Sequence, residues 1–238
     1  MGAQPLLQVR DLHVELVGRR EIVCGASLEI QPGSIVGLCG DSGCGKSTLA
    51  LALLGLLPPE QYRVRGEILL RGRDLLQLDE RAMTAVRGGQ IALIFQDPLL
   101  ALNPVLPVRT QIREILRAHG APAEPAALLA LAGLNDAERI LDAYPHQLSG
   151  GERQRVTIAQ ALACRPPLII ADEPFTALDA PRTVELVALF RRLRAECGAS
   201  FLLISHSAGV LAAAADEILR LRDGRLEAQQ PAGARDVR

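Results

Sequence analysis

The chain has 238 residues, 49% of them hydrophobic, enough to bury a substantial core as one large α/β domain or one domain with a small insertion. Its 26 Lys and Arg against 27 Asp and Glu leave a formal charge of −1, so no basic surplus points to nucleic acid and no charge block to a disordered tail. Five cysteines, at 24, 39, 44, 164 and 197, form no CxxC pair and no zinc-like His/Cys spacing, the usage expected of small buried thiols in a reducing compartment.

The opening "MGAQPLLQVRDLHVEL" lacks the basic flank and continuous apolar core of a signal peptide, and Gly2 without Ser or Thr at position six is a poor myristoylation match. Cytosolic retention is the expectation. "LLQVRDLHVEL" and "REIVCGASLEIQPG" alternate or cluster like antiparallel strands, and "RGEILLRGRDL" adds a hairpin-like piece. Between them "SIVGLCG" is a short apolar run feeding a Gly-rich turn. It is followed by "KSTLALALLGLL", apolar nearly all round, which predicts a buried helix ended by Pro58 and Pro59.

"QIALIFQ", "PLIIADE" and "SFLLISH" are further apolar runs with polar endings, Gln96, Asp172 with Glu173, and His206. Central parallel strands read this way when their carboxyl ends face a ligand crevice. Between "QIALIFQ" and "PLIIADE" the stretch from about Pro98 to Glu152 is rich in Ala and Leu at helical spacing and predicts a helical insertion. "DEILRLRDGRLEAQQ" predicts a hairpin turning on Asp223-Gly224, with fraying after Pro231. The longest apolar runs, "LALALLGLLPP" and "GVLAAAADEIL", fall short of the roughly 18 to 20 residues that cross a bilayer.

"GDSGCGKST", comprising Gly40, Asp41, Ser42, Gly43, Cys44, Gly45, Lys46, Ser47 and Thr48, fits G-x-x-x-x-G-K-[ST] between a predicted strand and a predicted helix. Glycines let the backbone wrap phosphates without side-chain clash, while amides and a helix N-terminus supply partial positive charge. Lys46 is placed to reach β- and γ-phosphates and Ser47 to ligate Mg²⁺. Cys44 lies inside this loop, where oxidation would obstruct nucleotide.

"LIIADE" ends in Asp172, positioned to hold Mg²⁺ through water, and Glu173, a candidate general base for an attacking water. In isolation two carboxylates at a strand end are often surface charge; a phosphate loop beside them changes that reading. Gln96 can meet Mg²⁺ or the attacking water through its amide oxygen, and His206 the γ-phosphate. A lone Gln or His there is commonly a boundary residue, and only the shared strand-end placement argues otherwise. "LSGGERQR", Leu148 to Arg155, sets a Ser hydroxyl and two unobstructed glycine amides at a predicted helix N-terminus, a second anion cradle without a Lys to bind nucleotide alone.

The ordered set "GDSGCGKST", "FQDP", "LSGGERQR", "LIIADEP", "ALD" and "SH" resembles the ATP-binding cassette of ABC transporters from about Leu6 to Gln229. The resemblance implies an α/β P-loop NTPase core with a mostly parallel sheet, an N-terminal antiparallel β-subdomain and a helical insertion. The nucleotide-binding core would be residues 6–97 and 153–229, and the helical part 98–152. It implies ATP and Mg²⁺ as ligands and a head-to-tail pair of cassettes, either two copies or two related chains. Ser149, Gly150 and Gly151 would contact the γ-phosphate on the partner, Gln154 would belong to the same signature, and Asp179 of "ALD" would couple the two sites. "IFQDPLLALNP" and "YPHQLSGG" are similar to the peptide and nickel import branch. That branch implies membrane permease chains, a substrate-binding protein outside the membrane, and a place at the cytoplasmic face.

Some positions depart from the family pattern. Leu16 and Val17 stand where many cassettes stack adenine on an aromatic, Phe175 follows "DEP" where Thr or Ser is common, and Ser207 replaces a common Asp. Peptide-import cassettes usually carry a long cysteine-containing C-terminal extension, and the end at Arg238 tilts the expected cargo towards nickel or another metal chelate. A chromosome-maintenance ATPase would need a coiled coil that about fifty residues containing Pro122, Pro125 and Pro145 cannot form. A soluble cassette serving iron-sulfur cluster assembly is the nearer rival, and "FQDPLLALNP" speaks against it.

Overall fold

The computed structural model describes residues 4–229, so the expectations for Gly2 and for the chain after Pro231 lie outside the described residues. In chain order, two long strands, β1 (Leu7–Leu16) and β2 (Glu21–Ile30), lead to β3 (Ile35–Cys39), the Gly-rich turn and α1 (Lys46–Leu53). After β4 (Tyr62–Leu70), β5 (Arg73–Asp74), α2 (Glu80–Val86) and β6 (Ile91–Ile94) comes a helical stretch. It holds α3 (Pro98–Ala101), α4 (Val108–His119), α5 (Pro125–Leu131), α6 (Ala137–Asp142) and α7 (Gly150–Leu162). The chain continues through β7 (Leu168–Asp172), α8 (Ala180–Cys197), β8 (Ser200–Ile204), α9 (Ala208–Ala214), β9 (Glu217–Arg222) and β10 (Arg225–Gln229).

The strands form two sheets. The first, ordered β2-β1-β4-β5, is antiparallel, as the alternating N-terminal pattern predicts. The second is ordered β10-β9-β3-β8-β7-β6 and is parallel except for the terminal hairpin. That hairpin turns on Asp223 and Gly224, both at positive φ (48° and 77°), as a tight two-residue turn requires. The fold is the expected α/β arrangement with an antiparallel part and a mostly parallel sheet.

The central strands read as unbroken apolar runs because each buries both faces. Ile169, Ala171, Phe201 and Leu203 pack with α7, α8 and α9 on one side. Leu168, Ile170, Leu202 and Ile204 alternate onto the other, against α1 and the antiparallel sheet. On the first side Phe190 meets Phe175 and Phe201 edge to face, with ring centroids 6.0 and 5.4 Å apart. Phe175 is therefore core, and it ties the turn after β7 to α8.

The helix after the Gly-rich turn is shorter than the prolines predict. It ends at Leu53, because Gly55 at φ 58° turns the chain and the amides of Gly55 and Leu56 close on the carbonyls of Ala52 and Leu51. Pro58 and Pro59 lie beyond a cap already made.

Candidate active site

Strand order brings the chemistry together. β8 lies between β3 and β7, with Leu38 opposite Ile204 and Ile204 opposite Asp172. The chain leaving β3 enters the Gly-rich loop, the chain leaving β7 enters Glu173, and the chain leaving β8 enters Ser205 and His206, so three motifs meet at one sheet edge. The Ser205 amide bonds Leu38 O at 3.0 Å and the Glu173 amide bonds Ile204 O at 3.0 Å, extending the ladder into the site.

Within the loop, Gly40, Gly43 and Gly45 all have positive φ. A Cβ on Gly40 would lie 2.5 Å from Leu221 O, and one on Gly45, at φ 108°, would lie 2.9 Å from Ile22 Cγ2. Gly45 is the N-cap of α1 and has no side chain to cap with, so the first amides of the helix stay free to bind an anion. Lys46 is buried, and its Nζ donates to Gly40 O at 2.9 Å and Asp41 O at 3.1 Å. Asp41, Ser42, Gly43 and Cys44 line a cavity of about 500 Å³ with Arg20, Glu21, Ile22 and the Arg222–Gly224 turn. Leu16 and Val17, the aliphatic positions expected beside a nucleobase, are not on that wall; Arg20 and Ile22 are.

Glu173 is 9% exposed and holds φ at 49°, a left-handed conformation that a non-glycine residue adopts at a cost of about 1 to 3 kcal/mol. Three side chains over-determine it. His206 Nδ1 lies 2.9 Å from Oε2, Thr176 Oγ1 donates to the same oxygen at 3.3 Å, and Lys46 Nζ stands 3.8 Å from Oε1. Because a carboxylate only accepts, the Nδ1 of His206 carries the proton. His206 thus orients the Glu173 carboxylate from the next strand, a role for which the sequence gives only its strand-end position. Thr176 was not legible as a site residue.

Asp172 is half-buried, and burial, ahead of the Glu173 charge, raises its pKa above the usual carboxylate range, while a hydrogen bond from Ser47 and the Lys46 charge pull it back. Its Oδ1 is buried without a hydrogen-bond partner among the described residues. A hard cation beside Ser47 would satisfy that oxygen and stabilise the ionised form, so this pair fits Mg²⁺. With no cation, the folded chain holds ionised Asp172 less well than the unfolded chain does, a penalty absent at acidic pH and felt as pH rises. Asp172→Asn should therefore melt higher than the parent chain at pH 7 in chelator, with the gap closing towards pH 4. Calorimetry in EDTA measures this, and an equal or lower melting temperature at pH 7 would contradict it.

Gln96 lies two residues beyond β6 and is exposed. It lines a cavity of about 400 Å³ with Gly150, Gly151, Gln154 and Thr176, on the side of the Ser-Gly-Gly turn and away from the loop cavity. That turn is built by α7: the Ser149 hydroxyl accepts the Glu152 amide at 3.2 Å, and Glu152 Oε2 accepts the Ser149 amide at 2.8 Å. This reciprocal capping box fixes the turn, and Arg139 of α6 in turn grips Glu152. Ser149 and Gly150 are exposed, and a Cβ on either Gly150 or Gly151 would meet nothing within 4 Å. Among the described residues, the cavities lined by this turn are distinct from the one lined by Asp41–Cys44. Asp179 caps α8, accepting from the Arg182 amide at 2.9 Å, and Ser207, where Asp is common, caps α9 through the Val210 amide.

Residues 23–176 match the sequence family described as ABC transporter. The chain belongs to the ABC transporter family. It is 42% identical to a probable peptide ABC transporter ATP-binding protein of Sinorhizobium fredii, across 95% of this chain and 71% of that one. It is 40% identical to the dipeptide transport ATP-binding protein DppD of Bacillus subtilis, across 94% and 70%. In fold, this ABC protein is similar to a dimeric ATP-binding cassette in a post-hydrolysis state bound to ADP and Pi. The TM-score is 0.81 at 28% identity, with 95% of this chain and 99% of that one covered.

Proposed function

We propose that this chain is the ATP-hydrolysing cassette of an ABC importer of peptides, working head to tail with a second cassette beneath a membrane permease. The observation that supports the reading most directly is the Glu173 carboxylate, held by His206 and Thr176 beside Lys46 at the mouth of the phosphate loop. In this reading residues 40–48 wrap the triphosphate and Lys46 bonds the β- and γ-phosphates. Ser47 and Asp172 are the residues that would hold Mg²⁺, which when bound neutralises developing charge on the phosphates, and Gln96 would join them only by moving from the Ser-Gly-Gly side, whose cavity it lines here. Glu173 takes the proton of the attacking water while His206 keeps the carboxylate aimed.

Ser149, Gly150 and Gly151 then cap the γ-phosphate of the partner's nucleotide, with Asp179 at the seam. Their exposure and their separation from the loop cavity support this division between two subunits. The partner is a related cassette or a second copy. We assign residues 6–97 and 153–229 to the nucleotide-binding core and 98–152 to the helical part that receives the permease. Among the described residues no helix is long and apolar enough to cross a membrane. In the importer reading the chain is a peripheral subunit at the cytoplasmic face, with a substrate-binding protein delivering cargo on the other side. Peptide is preferred to a metal chelate because the relatives above are named for peptide transport, whereas the chelate expectation leaned on where the chain ends.

Tagged chain extracted from native membranes should bring down permease subunits. Recovery with soluble iron-sulfur scaffold proteins instead would overturn the importer reading. Ser149→Arg in the assembled transporter should abolish ATP-driven cassette closure while leaving ATP bound to this chain's own loop; closure at the parental level would remove the cap assignment.

A further inference from the structure

We infer that Gln154 is a positioning residue that ties the catalytic base of this chain to the seating of its own signature helix. Gln154 lies one turn into α7, whose first residues form the exposed Ser-Gly-Gly turn. Its Nε2 donates a hydrogen bond to the carbonyl of Pro174. Pro174 follows Glu173 directly, so this bond grips the peptide next to the residue whose backbone is held at φ 49°.

The holds on Glu173 itself come from the nucleotide side. Glu173 is restrained by Ile204 O through its amide and by His206, Thr176 and Lys46 at its carboxylate. Phe175 anchors the next residue in the core against Phe190. Gln154 supplies the tie that arrives from the helix capping the opposite nucleotide.

The peptide after Glu173 is buried at Pro174, while Thr176 and Ala177 are exposed, with Ala177 at φ 62°. The turn is thus pinned at one end and open at the other, and a shift of α7 along its axis acts on the pinned end. Proline offers no amide of its own, so the Pro174 carbonyl is the backbone group through which the turn can be held at that residue. Seating of the Ser-Gly-Gly turn on a neighbour's phosphate fixes α7, and through Gln154 fixes the peptide that sets the direction of Glu173.

This inference rests on the paired-cassette reading and adds to it an intra-chain link from the cap of one site to the base of the other. The experiment uses the assembled transporter carrying Gln154→Glu or Gln154→Leu in this chain. Glu is isosteric but, ionised, has no hydrogen to donate, and Leu fills space without polarity. Both should lower kcat for ATP about tenfold, the scale of one lost hydrogen bond beside a general base, with KM for ATP within about twofold. Gln154→Lys, which restores a donor, should recover at least half of the rate.

In a Glu173→Gln background, Gln154→Glu should still form the ATP-trapped closed pair. An unchanged kcat in both Glu and Leu variants overturns the inference. So does loss of the trapped pair along with kcat, because Gln154 would then be supporting the cap alone. Failure of the cap assignment itself is read separately, from closure in Ser149→Arg.

Discussion

Glu173→Gln is expected to bind ATP, hold the closed cassette pair and lose hydrolysis by about two to four orders of magnitude, the range attributable to a general base. The substitution is nearly isosteric, and two of the three neighbours that fix the carboxylate can keep a partner. Thr176 Oγ1 and His206 Nδ1 still have an oxygen to donate to. What is lost is the basic oxygen and the charge 3.8 Å from Lys46. The φ of 49° is no worse for Gln than for Glu, so fold stability should change little. ATP turnover together with size-exclusion chromatography in ATP and Mg²⁺ checks both halves. Turnover at the parental rate would remove Glu173 from the role of base.

Much of this geometry was legible in the sequence, for a physical reason. β7 and β8 bury both faces and end where the sheet ends, so an apolar run followed by a polar residue marks both a central strand and the edge at which ligand sits. Asp172, Glu173 and His206 were found that way, and the loop from Gly40 to Thr48 by its glycine spacing. The strand order was not legible, because pairing of β3 between β8 and β9 depends on contacts more than a hundred residues apart in the chain. α8 has no motif to announce it, although Asp179 and Pro181 start it and Gly198 ends it, with Leu186, Val187, Leu189, Phe190 and Leu193 forming its buried side. Gly55 is hard to read as a helix cap because two prolines beyond it offer a stronger stop signal. The ties that aim the site, Gln154 to Pro174 and Arg139 to Glu152, join polar side chains to groups that no motif spacing places beside them.

Lys46→Ala is the second large effect, and its expected result follows from what the ammonium touches. Lys46 is 6% exposed, with its Nζ against the carbonyls of Gly40 and Asp41 and near Glu173. Such a buried cation is held ready by the loop that would exchange those carbonyls for phosphate oxygens. Hydrogen bonds to charged groups contribute roughly 1.5 to 3 kcal/mol each, so losing contacts to two phosphates should weaken ATP binding about a hundredfold or more. AMP, whose single phosphate lies short of the lysine, should bind Lys46→Ala and the parent chain alike. Titration calorimetry with ATP, ADP and AMP separates the cases. A uniform loss for all three would indicate a collapsed loop, while an unchanged ATP affinity would mean that Lys46 does not hold the β- and γ-phosphates and that the phosphate-loop assignment fails.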